Sequence, residues 1–115
     1  MTESEGTASP TEPQYVESAD DFSQKVQENE IVFVDFYADW CGPCKMLEPI
    51  VEDLAADTPA SVLKVDVDQH QQLASQYQVR GVPTTVLFVD GDVEEVMVGV
   101  RGKDQYVNLI EQAAN

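Results

Sequence analysis

The chain has 115 residues, 43% of them hydrophobic, and sets 22 acidic side chains against 6 basic ones for a formal net charge of −16. That length favours one domain whose core holds without staples, and the charge repels nucleic acid and anionic membrane, so neither is expected as a partner. No stretch approaches the ~20 apolar residues of a membrane span, and MTESEGTASPTEPQ, the first 14 residues, has neither the basic start nor the apolar run of a secretory leader.

A cytoplasmic location is therefore expected. The acidic excess serves solubility in any cytosol. So large an excess points further, to a cytosol of very high salt, where the screening length shrinks to ~3 Å at 1 M and self-repulsion is suppressed.

Residues 1–14 are polar, acidic and rich in Pro, Ser and Thr, which predicts a disordered tail before a domain at 15–115. A short strand is expected near Tyr15-Val16. Ser18 with Asp21 has capping-box character ahead of Phe22 and Val26, which lie four apart on one helical face. IVFVDFYA, residues 31–38, is apolar at every position but Asp35 and reads as a strand buried on both faces. Residues 43–57 predict a helix with Met46, Leu47, Ile50, Val51, Leu54 and Ala55 inward and Glu48, Glu52 and Asp53 outward. Pro49 is expected to kink it.

SVLKVDVD, residues 61–68, alternates Leu63, Val65 and Val67 with Lys64, Asp66 and Asp68, as a strand would. A short helix around Leu73, Ala74 and Tyr77 follows. TTVLFVD (84–90), Gly91 and VEEVMVG (93–99) predict a hairpin turning at Asp90-Gly91. The last helix, 103–114, turns Tyr106, Val107, Leu109, Ile110 and Ala113 inward. The order βαβαβαββα implies an α/β layer fold whose sheet is parallel at first and antiparallel at the end.

The chain's two cysteines, Cys41 and Cys44, both fall in WCGPCK, beside its one tryptophan. A bridge between them closes too small a loop to stabilise much, so chemistry explains the pair better than stapling. Cys41 lies where the buried strand gives way to a helix, and Pro43 suits a first helical turn because its missing N–H needs no partner there. Free N–H groups and the helix dipole then favour a thiolate at Cys41. Cys44, one turn deeper and less exposed, is placed to resolve what Cys41 attacks. Structural zinc wants four ligands, and the chain has two cysteines and one histidine. Cysteine-protease chemistry needs a histidine partner, and His70 sits in a polar stretch. DVDQH (66–70) fails as a calcium loop, with Gln71 where glycine is needed and Tyr77 where glutamate is.

The lone charge in the buried strand is Asp35, on the face of Ile31, Phe33 and Tyr37. Unless alternation turns it to solvent, its burial should raise its pKa.

VDFYADWCGPCK, Pro49, LKVDVDQ, RGVPTTVLF and the hairpin ending in Gly99 together resemble the thioredoxin family over about residues 15–114. That resemblance implies a central mixed sheet with helices on both faces, and an activity of reducing disulfides in other proteins. It implies that Asp35, with Lys64 beside it, lies beneath the cysteines and helps deprotonate Cys44. It also implies a cis bond before Pro83 and a substrate patch of Trp40, Gly42, Pro43, Val82, Pro83 and Gly99. An extended substrate segment would pair with the Val82 backbone there. Electrons would come from a thioredoxin reductase, because no Gly-x-Gly-x-x-Gly exists to hold a flavin or nicotinamide; no cofactor and a monomer are expected. Two other readings remain: a disulfide oxidase or isomerase on this fold, or a non-catalytic accessory subunit. Tyr37 departs from the family pattern, standing where many members carry a second tryptophan.

Overall fold

The apolar run around Asp35 becomes the middle of the sheet. The computed structural model describes residues 11–115; the first ten residues of the expected tail lie outside them. Five strands run β1 (Gln14–Tyr15), β2 (Ile31–Tyr37), β3 (Ser61–Asp66), β4 (Thr84–Val89) and β5 (Asp92–Val98). Between and after them come helices α1 (Ala19–Glu28), α2 (Gly42–Asp57), α3 (Gln71–Gln76) and α4 (Lys103–Ala114). The strand order is β1-β3-β2-β4-β5. β2 and β1 pair parallel to β3, whereas β4 pairs antiparallel to β2 and to β5. This is the mixed sheet expected.

Helices cover both faces because the central strands are apolar on both. On one side Phe22 and Val26 of α1 and Leu73 and Ala74 of α3 pack on Val32, Val34, Phe36, Leu63, Val65, Val86 and Phe88. On the other, Leu47, Val51 and Leu54 of α2 and Tyr106 and Ile110 of α4 pack on Ile31, Phe33, Val62 and Leu87. Each fully buried side chain of this size contributes roughly 1.5–3 kcal/mol.

Local chemistry sets the element ends. Ser18 caps α1, its Oγ accepting from the Asp21 N–H at 3.0 Å. Asp21 reaches back to the Glu17 N–H (2.9 Å), one residue before the cap, so the box closes one position early. Asp90 (φ 52°) and Gly91 (φ 87°) make the β4–β5 turn, where two successive positive φ values match strand twist.

One expectation is corrected. Met46 is 68% exposed, not inward: the buried stripe of α2 is Cys44, Leu47, Val51, Leu54 and Ala55, and Met46 falls outside that arc. The position of β3 between β1 and β2, with helices on both faces, buries Lys64 (4% exposed) along with its valines. α2 runs through Pro49 as one continuous helix.

Candidate active site

α2 begins at a cysteine. Cys41 is its N-cap, in extended conformation, and its Sγ accepts from the Cys44 N–H at 3.1 Å. Sulfur thus fills the role that a Ser, Thr or Asp oxygen fills at most caps. Pro43 in the first turn offers no N–H, so the Cys44 amide is the donor the cap can reach. That first turn carries no acidic residue, although the chain has 22. The next residue is Lys45, whose Nζ donates to the Asp39 carbonyl at 2.8 Å. Dipole and side chains therefore give the Cys41 sulfur a positive setting.

Cys41 and Cys44 are joined by a disulfide, with Cα atoms 5.3 Å apart. Both are buried, at 4% and 3% exposure, so Cys44 is not appreciably the less exposed of the two in this oxidised form. They form a small cluster with Ala38, bordered by Tyr37, Val67 and Val82.

The surrounding patch is uneven. The Val82–Pro83 bond is cis, and the Val82 carbonyl oxygen lies 3.7 Å from Cys41 Sγ. Gly42 and Pro43 are exposed, Val82 and Gly99 are half-buried, and Pro83 is buried. Gly99, at φ 87°, donates its N–H to the Pro83 carbonyl at 2.8 Å, which ties the end of β5 to the start of β4. Trp40 is 71% exposed, and its Nε1–H donates to Asp68 Oδ2 at 2.9 Å. Nothing in the sequence links these two, which lie 28 residues apart. The DVDQH stretch, which fails as a calcium loop, orients the indole through Asp68.

Asp35 is fully buried on the sheet face that α2 covers, between Phe33, which packs under α2 and α4, and Tyr37, which packs against the cysteines. It does not turn to solvent. Neither carboxylate oxygen has a hydrogen-bond partner among the described residues. Burial raises its pKa to about 6; the Lys64 charge pulls downward, and Glu48 pushes upward. Lys64 lies directly beside Asp35 in the parallel β2–β3 register. Its Nζ, however, sits 3.8 Å from Glu48 Oε2 and 4.4 Å from the Tyr37 ring centroid. Burial also pushes the Tyr37 hydroxyl up to about 12. Helical spacing marks Glu48 only as a solvent-facing residue; the packing of α2 over β3 is what brings it to Lys64.

Among the described residues no group of acidic, His or Cys side chains could hold a metal ion, and no helix is long and apolar enough to cross a membrane. A cysteine pair at the head of a helix and a buried, unpartnered acid on the preceding strand suit thiol–disulfide exchange. The thioredoxin family model matches residues 14–112. A thioredoxin of Chlamydia trachomatis is 44% identical over 98 residues, covering 84% of this chain and 95% of its own. A thioredoxin of Staphylococcus aureus is 42% identical over 94 residues, covering 80% and 89%. The solved structure of a mutant thioredoxin from Halobacterium salinarum is 53% identical with a TM-score of 0.91, covering 94% of this chain and 96% of its own.

Proposed function

The chain belongs to the thioredoxin family of thiol-disulfide oxidoreductases and is a protein-disulfide reductase; from that premise we propose which residues do the work, and where. The Cys41 thiolate attacks one sulfur of a disulfide in another protein. The target bond breaks, a mixed disulfide forms, and the departing target sulfur takes a proton. Cys44 gives its proton to the Asp35 carboxylate and attacks Cys41 Sγ. The second target thiolate leaves, and two electrons have passed to the target. The Cys41–Cys44 disulfide that remains is the state in this structure.

The observation that carries this reading is the Cys44 N–H aimed at Cys41 Sγ at the head of α2. In the reduced protein that donor favours charge on Cys41 over Cys44. Asp35, with a pKa of about 6, is mostly ionised at neutral pH and can accept a proton. Lys64 keeps that carboxylate from rising further. Trp40, Gly42, Pro43, Val82, Pro83 and Gly99 border the sulfurs and receive the target as an extended segment.

Family membership implies a reductase partner; we take it to be a thioredoxin reductase, docking on the same patch. The protein works as a monomer in the cytoplasm, without nucleic acid or membrane partners. Residues 15–115, joined by Gln14 of β1, are the working domain, and the acidic segment before them serves solubility. Among the described residues Asp35 alone of the acidic side chains is buried, which supports the high-salt reading of the charge. An oxidase or isomerase, or an idle accessory subunit, is not favoured: no histidine stands between the cysteines to stabilise the reduced thiolate.

The test is a trap. Cys44→Ser mixed with a disulfide-bonded protein should accumulate an adduct through Cys41 that reductant releases. Free turnover by Cys44→Ser, or no adduct at all, would overturn the assignment.

A further inference from the structure

Asp35 and Lys64 ought to be an ion pair. They are opposite each other in register, both are buried, and both lie on the face under α2. A buried carboxylate normally takes the nearest cation. Yet both Asp35 oxygens are unpartnered among the described residues. The Lys64 ammonium is drawn the other way, toward Glu48 on α2 and onto the rings of Tyr37 and Tyr15, 4.4 and 5.4 Å from their centroids. Its side chain is 5% exposed and that of Glu48 49%. Both line a cleft of about 160 Å³ together with Glu12, Tyr15 and Glu52.

We propose that Glu48 is a positioning residue for the reductase reaction: by holding the Lys64 ammonium toward α2, it leaves the Asp35 carboxylate unpaired and able to accept the Cys44 proton. This rests on reading Asp35 as that proton's acceptor. The groups around Asp35 are few. Lys64 comes from β3, and Glu48 comes from α2, the helix that Cys41 caps. Tyr37 lies along β2, Thr85 faces it from β4, Tyr15 lies beyond Lys64 on β1, and Tyr106 reaches it from α4. Of these, Lys64 and Glu48 carry charge in the oxidised protein at neutral pH. Lys64 lowers the Asp35 pKa and Glu48 raises it. Losing Glu48 therefore acts twice in one direction: a repelling charge goes, and Lys64 is freed to swing toward Asp35.

The experiment follows the Asp35 side-chain carboxyl carbon by NMR from pH 4 to 9 in the oxidised protein, where no thiol titrates. Glu48→Gln should lower the Asp35 midpoint by roughly 0.5–1 pH unit, the scale of a partly solvated neighbouring charge. Glu52→Gln removes the same charge from the same cleft without touching Lys64 and should move it far less. In a Lys64→Gln background the Glu48→Gln shift should shrink to less than half. An unmoved midpoint in Glu48→Gln would overturn the proposal. So would an equal shift in Glu52→Gln, or full additivity with Lys64→Gln, since Glu48 would then be only one more surface charge. Stopped-flow measurement of mixed-disulfide resolution separates the two readings. If the midpoint falls as stated while resolution at pH 6 to 7 stays the same, Glu48 positions Lys64 but Asp35 is not the acceptor. If both change, both stand.

Discussion

Replacing Asp35 by asparagine should stabilise the oxidised protein at neutral pH and leave it unchanged in acid. The folded carboxyl has a pKa of about 6 against an ordinary 3.8. Below pH 4 the group is protonated in both folded and unfolded chains and contributes nothing. Between 4 and 6 the folded chain holds a proton that the unfolded chain has released, so stability falls as pH rises. Above 6 the full difference applies: about two pH units at ~1.4 kcal/mol each, or roughly 3 kcal/mol of destabilisation. Asparagine keeps the shape and removes the charge. Thermal melts of the oxidised proteins should differ by roughly 10 °C at pH 7.5 and by almost nothing at pH 4. Equal melting temperatures at pH 7.5, or one offset common to both pH values, would refute the claim that a buried unpaired charge is the cause. A core that tolerates such a penalty has a use for the charge, and the use we propose is to accept the Cys44 proton.

Other consequences follow from packing and charge. Leu54→Ala empties a fully buried site under α2 and should cost about 2–5 kcal/mol in urea denaturation; a loss below ~1 kcal/mol would mean the two helical layers do not share a packed core there. Ser18→Ala removes the cap on the Asp21 N–H and should cost about 1 kcal/mol, read from the same curves. Raising KCl from millimolar to molar should raise the melting temperature, because screening relieves a net charge of −16. A flat or falling trend would sink the high-salt reading.

What the sequence made legible were features with a local cause. The doubly buried strand followed from its unbroken apolar run, the hairpin from Asp90-Gly91, and the start of α1 from Ser18. What stayed hidden depended on packing. The burial of Lys64 could not be read from alternation, because no sequence pattern states that β3 lies inside the sheet. Met46 looked apolar and therefore inward, yet it falls just off the buried arc of α2. Glu48 looked like any outward charge, and its partner comes from a strand it meets only after folding. Asp68 was legible as an acid, and its bond to Trp40 was not. At the site, the cysteine pair could be argued from helix physics, whereas the substrate patch and a role for Asp35 with the pair were suggested only by resemblance.

The measurement closest to the centre of the account is the pH dependence of alkylation at each thiol in the reduced protein, read by mass spectrometry of the labelled peptides. Cys41 should react faster than Cys44, with a midpoint at least one unit below the ~8.5 of a free cysteine. If both thiols react at the same slow rate with midpoints near that free value, the head of α2 does not activate its capping sulfur, and the proposed division of labour between Cys41 and Cys44 is wrong.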